Sequence, residues 1–231
     1  MSGRKAKTLR REGVGRRRTP AVRLSIPSTE KWTIGLAAAG LMTSALAPVP
    51  AWALLQGLTD VNGRSTNVVT GTLQNITVDN SRYIGNLTSA NIAAGEAVRF
   101  LEPNAASIAL LRVASQSPTT WSGSFWSNGQ IFLVNPSGIL FSSSSHVDVA
   151  SLTASTLNIT NQNFLTGNYQ FTQAPGAANA AVVNQGVITA GTGGYVALLG
   201  AAVRNEGVIV ANAGSIALAA GKAATLSLIH I

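Results

Sequence analysis

Acid–base or metal chemistry needs carboxylates, imidazoles or bases gathered at close spacing, and this chain offers them sparsely. Beyond residue 53 the acids are Asp60, Asp79, Glu96, Glu102, Asp148 and Glu206, and the bases are Arg64, Arg82, Arg99, Arg112, Arg204 and Lys222. No close acidic pair occurs in sequence, so the paired carboxylates of a polysaccharide lyase or hydrolase would have to be assembled by stacking distant segments. His146 and Asp148 come nearest to a ligand pair, but with no metal-ligand spacing around them they read as a solvated pair near a bend. The expectation is no catalytic residue, no metal and no cofactor. What remains informative is the Asn, Pro and Gly that shape the backbone.

Residues Asn128-Gly129-Gln130-Ile131-Phe132-Leu133-Val134-Asn135-Pro136-Ser137-Gly138-Ile139-Leu140-Phe141 set two apolar runs on either side of Asn-Pro-Ser-Gly. That order suits the four positions of a type I turn, so the reading is strand, corner, strand. Runs this short and continuously apolar suit strands buried on both faces. Near the C-terminus, Val183-Asn184-Gln185-Gly186-Val187-Ile188-Thr189-Ala190 is echoed by Val203-Arg204-Asn205-Glu206-Gly207-Val208-Ile209-Val210-Ala211, with Asn205 standing 21 residues after Asn184. The same spacing relates Gly193 to Gly214, Tyr195 to Ile216 and Gly200 to Gly221. Such a period predicts an all-β solenoid, best fitted by a right-handed parallel β-helix with an N-terminal cap. Asn184 and Asn205 would be solenoid corners whose side chains pair up the stack, and Gly186 and Gly207 would supply backbone angles that a side chain forbids. Setting Gly138 level with Gly186 places Ile139-Leu140 on Val187-Ile188 and Val147 on Tyr195.

The formal charge of +8 sits wholly before residue 54, where ten Lys/Arg face Glu12 and Glu30; the rest holds six bases and six acids. A nucleic-acid module would carry its positive patch on the folded domain, so no nucleic-acid partner is expected. The leader instead has the parts of an export signal: a basic region to Lys31, an apolar stretch from Ile34 to Leu46, and Pro48-Val49-Pro50-Ala51-Trp52-Ala53. Ala51 and Ala53 form a small-x-small site, predicting cleavage after Ala53. Pro48 and Pro50 leave an apolar core of about 13 residues, too short to span hydrocarbon, against the alternative of a membrane-anchored periplasmic solenoid. There is no cysteine, so packing and backbone hydrogen bonds alone must hold an exported domain together.

Three blocks carry a family resemblance: Phe100-Leu101-Glu102-Pro103-Asn104-Ala105-Ala106-Ser107-Ile108-Ala109-Leu110-Leu111-Arg112-Val113, the Asn128 to Phe141 segment, and Val149-Ala150-Ser151-Leu152-Thr153-Ala154-Ser155-Thr156. Over roughly Leu58 to Leu226 the chain resembles the N-terminal secretion domain of filamentous-haemagglutinin-like exoproteins. The resemblance implies two-partner secretion in a Gram-negative bacterium. The Sec machinery would deliver the chain to the periplasm, an outer-membrane β-barrel transporter with POTRA modules would recognise it, and it would fold at the cell surface or be released. Arg112, Asn128, Gly129, Asn135, Pro136 and Gly138 carry over as transporter-recognition or fold-defining positions. Departures are Ser137, where the family's turn has Asn, Leu111, where an Asn commonly precedes the Arg, and an aromatic-rich Trp121 to Trp126. The expected organisation is a signal peptide over 1–53, a secretion β-helix over 54–226 and a tail over 227–231 that fits no coil phrase. Host-cell or surface ligands would belong to a downstream region of an adhesin-type protein, and an enzymatic β-helix is the alternative.

Overall fold

The computed structural model describes residues 54–227. Its chain enters through β1 (Thr59–Asn62), β2 (Ser65–Thr70), β3 (Leu73–Val78), β4 (Arg82–Leu87), β5 (Ala97–Leu101) and β6 (Ile108–Val113). Two three-strand coils follow: β7 (Thr119–Trp121), β8 (Ser124–Ser127) and β9 (Gln130–Val134), then β10 (Ile139–Phe141), β11 (His146–Val149) and β12 (Ser151–Ser155). An excursion with α1 (Asn161–Thr166) and β13 (Tyr169–Thr172) interrupts the stack. Stacking resumes with β14 (Ala181–Asn184), β15 (Val187–Ala190) and β16 (Tyr195–Gly200), then β17 (Ala202–Asn205), β18 (Val208–Ala211) and β19 (Ser215–Ala220), and β20 (Ala223–Leu226) comes last.

Like strands stack on like, giving a right-handed parallel β-helix with three faces. Sheet I runs β1-β4-β6-β9-β12-β16-β19, sheet II runs β2-β3-β5-β8-β11-β15-β18, and the shorter sheet III runs β7-β10-β14-β17. Only β1 and β2 pair antiparallel within these sheets, and they close the N-terminal end as the expected cap. Leu54 and Leu55 are buried in the interior there, and Gln74 holds the backbone of Leu55 from both sides.

Apolar side chains form continuous columns inside the prism. Val98, Phe125, Val147, Ile188 and Ile209 stack through sheet II, and Ala109, Ile131, Leu152, Val196 and Ile216 through sheet I. Trp121 fills a wide coil, its ring stacked on Phe125 at 4.5 Å and edge-on to Phe141 at 5.3 Å. A second apolar cluster lies outside sheet I, where Ile84, Leu110 and Phe132 meet Leu157, Ile159, Phe164, Tyr169 and Phe171 of the excursion. β13 and β20 pair antiparallel over this face as a flap. Neither flap nor helix was expected, although Thr160 caps α1 by accepting from the Asn163 amide and Gly167 ends it in the left-handed region, both readable helix signals.

Two expected registers are corrected. Ile139 lies on Val182 and Val147 on Ile188, not on Val187 and Tyr195. Four residues, Ser142–Ser145, separate β10 from β11, whereas two, Gln185–Gly186, separate β14 from β15. The columns dictate which strands stack and the bends absorb the difference in length. Likewise Tyr195 lies on Ser215 and Gly200 on Ala220, because the bend before β19 is one residue shorter than the bend before β16. Strand parity leaves no choice, since Val196 and Ile216 must both face inward.

Candidate functional site

The Asn135 corner follows directly from its turn chemistry. The Gly138 amide donates to the Asn135 carbonyl at 3.1 Å, closing the turn, and Gly138 takes φ +123°. Fully buried Asn135 uses both ends of its amide: Oδ1 accepts from the Ser137 amide at 2.9 Å, while Nδ2 donates to the Ser117 carbonyl at 3.1 Å and to Thr119 Oγ1 at 2.9 Å. Its own N–H donates to the Ser155 carbonyl of the next coil at 3.0 Å. Ser137 donates its hydroxyl to the Ser115 carbonyl at 2.9 Å, and Pro136 is half-buried beside it. One corner thus ties three successive coils.

The approach strand to that corner, β9, is enclosed. It pairs with β6 on one edge and β12 on the other. Ile131 and Leu133 face the interior cluster, while Phe132 and Val134 lie under the flap. Phe132 has Phe164, Tyr169 and Phe171 within 5.6, 5.0 and 6.1 Å, centroid to centroid.

Asn128 and Gly129 form a second corner, built around a residue that sequence reading passed over. Asn128 pairs with the backbone of Glu102, accepting from its N–H and donating to its carbonyl, both at 2.8 Å. The Glu102 side chain, 6% exposed, reaches beneath Gly129. A Cβ on Gly129 would lie 2.2 Å from Glu102 Oε2, which is why glycine stands there. Oε2 accepts from Ser127 Oγ at 2.8 Å, and Oε1 is buried without a partner. Burial pushes the carboxyl up to about 8, with the Ser127 hydrogen bond opposing. The available signal was an acid directly after a strand whose inward positions, Val98 and Phe100, are apolar.

Arg112 belongs to neither corner. It fastens the excursion to sheet I, donating to Asn158 Oδ1 (3.2 Å), Asn161 Oδ1 (3.0 Å), the Ile159 carbonyl (2.7 Å) and Asn86 Oδ1 (3.4 Å). Arg82 adds a second tie, to the Phe164 carbonyl at 3.0 Å and the Tyr169 hydroxyl at 3.3 Å. At the solenoid corners Asn184 donates to Asn205 Oδ1 at 2.8 Å, one step of a ladder. Gly186 and Gly207 need another explanation than backbone angle, since neither has positive φ. A Cβ at Gly186 would lie 2.5 Å from the Ser142 carbonyl, and one at Gly207 2.2 Å from the Gly186 carbonyl. Coils approach too closely there for a side chain. His146 and Asp148 lie at the start of β11, just after the Ser142–Ser145 bend, and both are exposed as expected. Ala51 and Ala53, the leader and residues 228–231 lie outside the described residues.

Among the described residues no cluster of three or more His, Cys, Asp or Glu is placed to hold a metal, and no helix is long and apolar enough to cross a membrane. Residues 54–229 match the family model described as the TPS secretion domain. The fold is similar to the crystal structure of the HMW1 secretion domain from Haemophilus influenzae, with a TM-score of 0.73 and 41% identity, covering 75% of this chain and 46% of that one. Two heme/hemopexin-binding proteins of Haemophilus influenzae, one of them from strain ATCC 51907 / DSM 11121 / KW20 / Rd, are each 29% identical, over 85 and 104 residues. Those stretches cover 37% and 42% of this chain but only 9% and 12% of the relatives' own length.

Proposed function

Because this chain belongs to the TPS secretion domain family, we propose that it is the segment by which a longer exported protein engages its cognate outer-membrane transporter and begins its β-helix outside the cell. In this reading the leader is cut after Ala53, Sec delivers the chain to the periplasm, and the transporter is a β-barrel whose POTRA modules bind the chain while it is extended. The domain has no catalytic role, and any host-cell or surface ligand is read by downstream parts of the longer protein.

The enclosure of β9 supports recognition before folding. Once β6, β9 and β12 have paired, Ile131–Val134 has neither a free edge nor a free face. A partner that adds this segment to a sheet edge by main-chain hydrogen bonds must therefore meet it extended. Coil closure outside then withdraws the segment and makes return unfavourable, at about 25 cal/mol per Å² of apolar surface buried.

The test is co-expression with the transporter, measuring export, alongside binding of the urea-unfolded chain to isolated POTRA modules. Deleting residues 128–141 should abolish both. Asn184→Ala, which loosens a solenoid corner, should weaken folding after export and leave binding of the unfolded chain intact. Export and binding that survive the deletion would sink the proposal.

A further inference from the structure

We propose that the Glu102 carboxyl is a proton-binding site: the β5–β8 corner closes around the neutral acid, so the domain takes up a proton as it folds and returns it on unfolding. The inference rests on the fold and stands whether or not the transporter reading holds. Its basis is geometric. Glu102 directly follows β5, its backbone gripped by Asn128, and its side chain is turned inward and buried. Gly129 and Ser127 form the roof, and among the described residues the one hydrogen bond the carboxyl receives comes from an uncharged hydroxyl. Oε1 is buried with no partner among the described residues. A carboxylate in such a pocket is shielded from bulk solvent and has no counter-charge among the described residues, so it is costly there, whereas the neutral acid is tolerated.

The charged groups on the strands and bends packed against it, Arg99 on β5, Asp148 on β11 and Asp79 after β3, are all exposed and do not offset this cost. Burial thus raises the carboxyl from its ordinary value of 4.5 to about 8. In the extended chain Glu102 is ionised above about 4.5. Between these two values the folded chain binds the extra proton, so stability falls as pH rises: the contribution is fully present below about 4.5 and lost by about 8. Neutral pH therefore disfavours closure of this coil, and acid favours it.

Two measurements on the intact purified chain decide the matter. In the native protein the Glu102 carboxyl carbon, followed by NMR after assignment with Glu102→Gln, should titrate well above the ordinary glutamate range. In denaturant titrations the wild-type unfolding constant should rise by up to about tenfold per pH unit between pH 5 and 8, and Glu102→Gln should remove that slope. A native carboxyl titrating near 4.5 would overturn the inference, as would equal slopes in the two proteins. If the variant does not fold, the wild-type titration alone decides, with the resonance identified by its proximity to Ser127 and Gly129.

Discussion

Gly129 and Asn135 hold their corners by opposite means, one by having no side chain and the other by using every atom of its own. At Gly129 the space a Cβ needs is taken by the Glu102 carboxyl, whose backbone is itself clamped by Asn128. Gly129→Ala is therefore expected to cost about 1–3 kcal/mol in urea unfolding, the usual penalty for overpacking. Adding Glu102→Ala should recover part of it, and a double-mutant cycle reads the coupling. At Asn135 the penalty comes from orphaned partners. Asn135→Ala strips hydrogen bonds from the Ser117 carbonyl, Thr119 Oγ1 and the Ser137 amide in a buried site, so about 2–4 kcal/mol should be lost, measurable by the same denaturant titration.

At the scale of elements, the flap is the part whose attachment can be taken apart piece by piece. α1 and β13 reach sheet I through one aromatic cluster centred on Phe132 and through the two arginine ties. β20 completes the flap from beyond the last coil by pairing with β13, whereas the rings against Phe132 come from α1 and β13. Arg112→Ala should release the excursion while leaving the interior columns intact. Hydrogen-exchange protection should then fall over residues 158–172 and persist in β6, β9 and β12. Phe132→Ala should cost about 3–5 kcal/mol in unfolding, because neighbouring rings from three positions cannot collapse into one gap.

At the largest scale the described residues are a stack in which each coil is stabilised by its neighbours, so stability varies along its length. Central coils are buried on both sides and by the flap. In the last described coil Val208, Ile216 and Leu218 are 53%, 49% and 51% exposed. Hydrogen exchange should accordingly be fastest in β17, β18 and β19 and slowest in β9 and β12, with protection rising from one to the other. Uniform protection throughout would mean that the stack opens as a single unit.

Much of this arrangement was legible locally. An apolar run with no wet face, a turn with Pro at its second position and Gly at its fourth, and a phrase repeated at 21 residues each depend on neighbouring residues, and together they specify coils, corners and stacking. What they left open lies between coils. The register of Ile139 on Val182, the one-residue slip before β19, the steric rather than torsional need for Gly186 and Gly207, and the burial of Glu102 under Gly129 arise from segments about twenty or more residues apart. Bends of unequal length carry no pattern that announces which strand will stack on which. Only closing the prism, with its columns aligned and its excess folded outward as a flap, decides those contacts, because packing rewards the alignment of whole strands and is indifferent to the length of the bends that connect them.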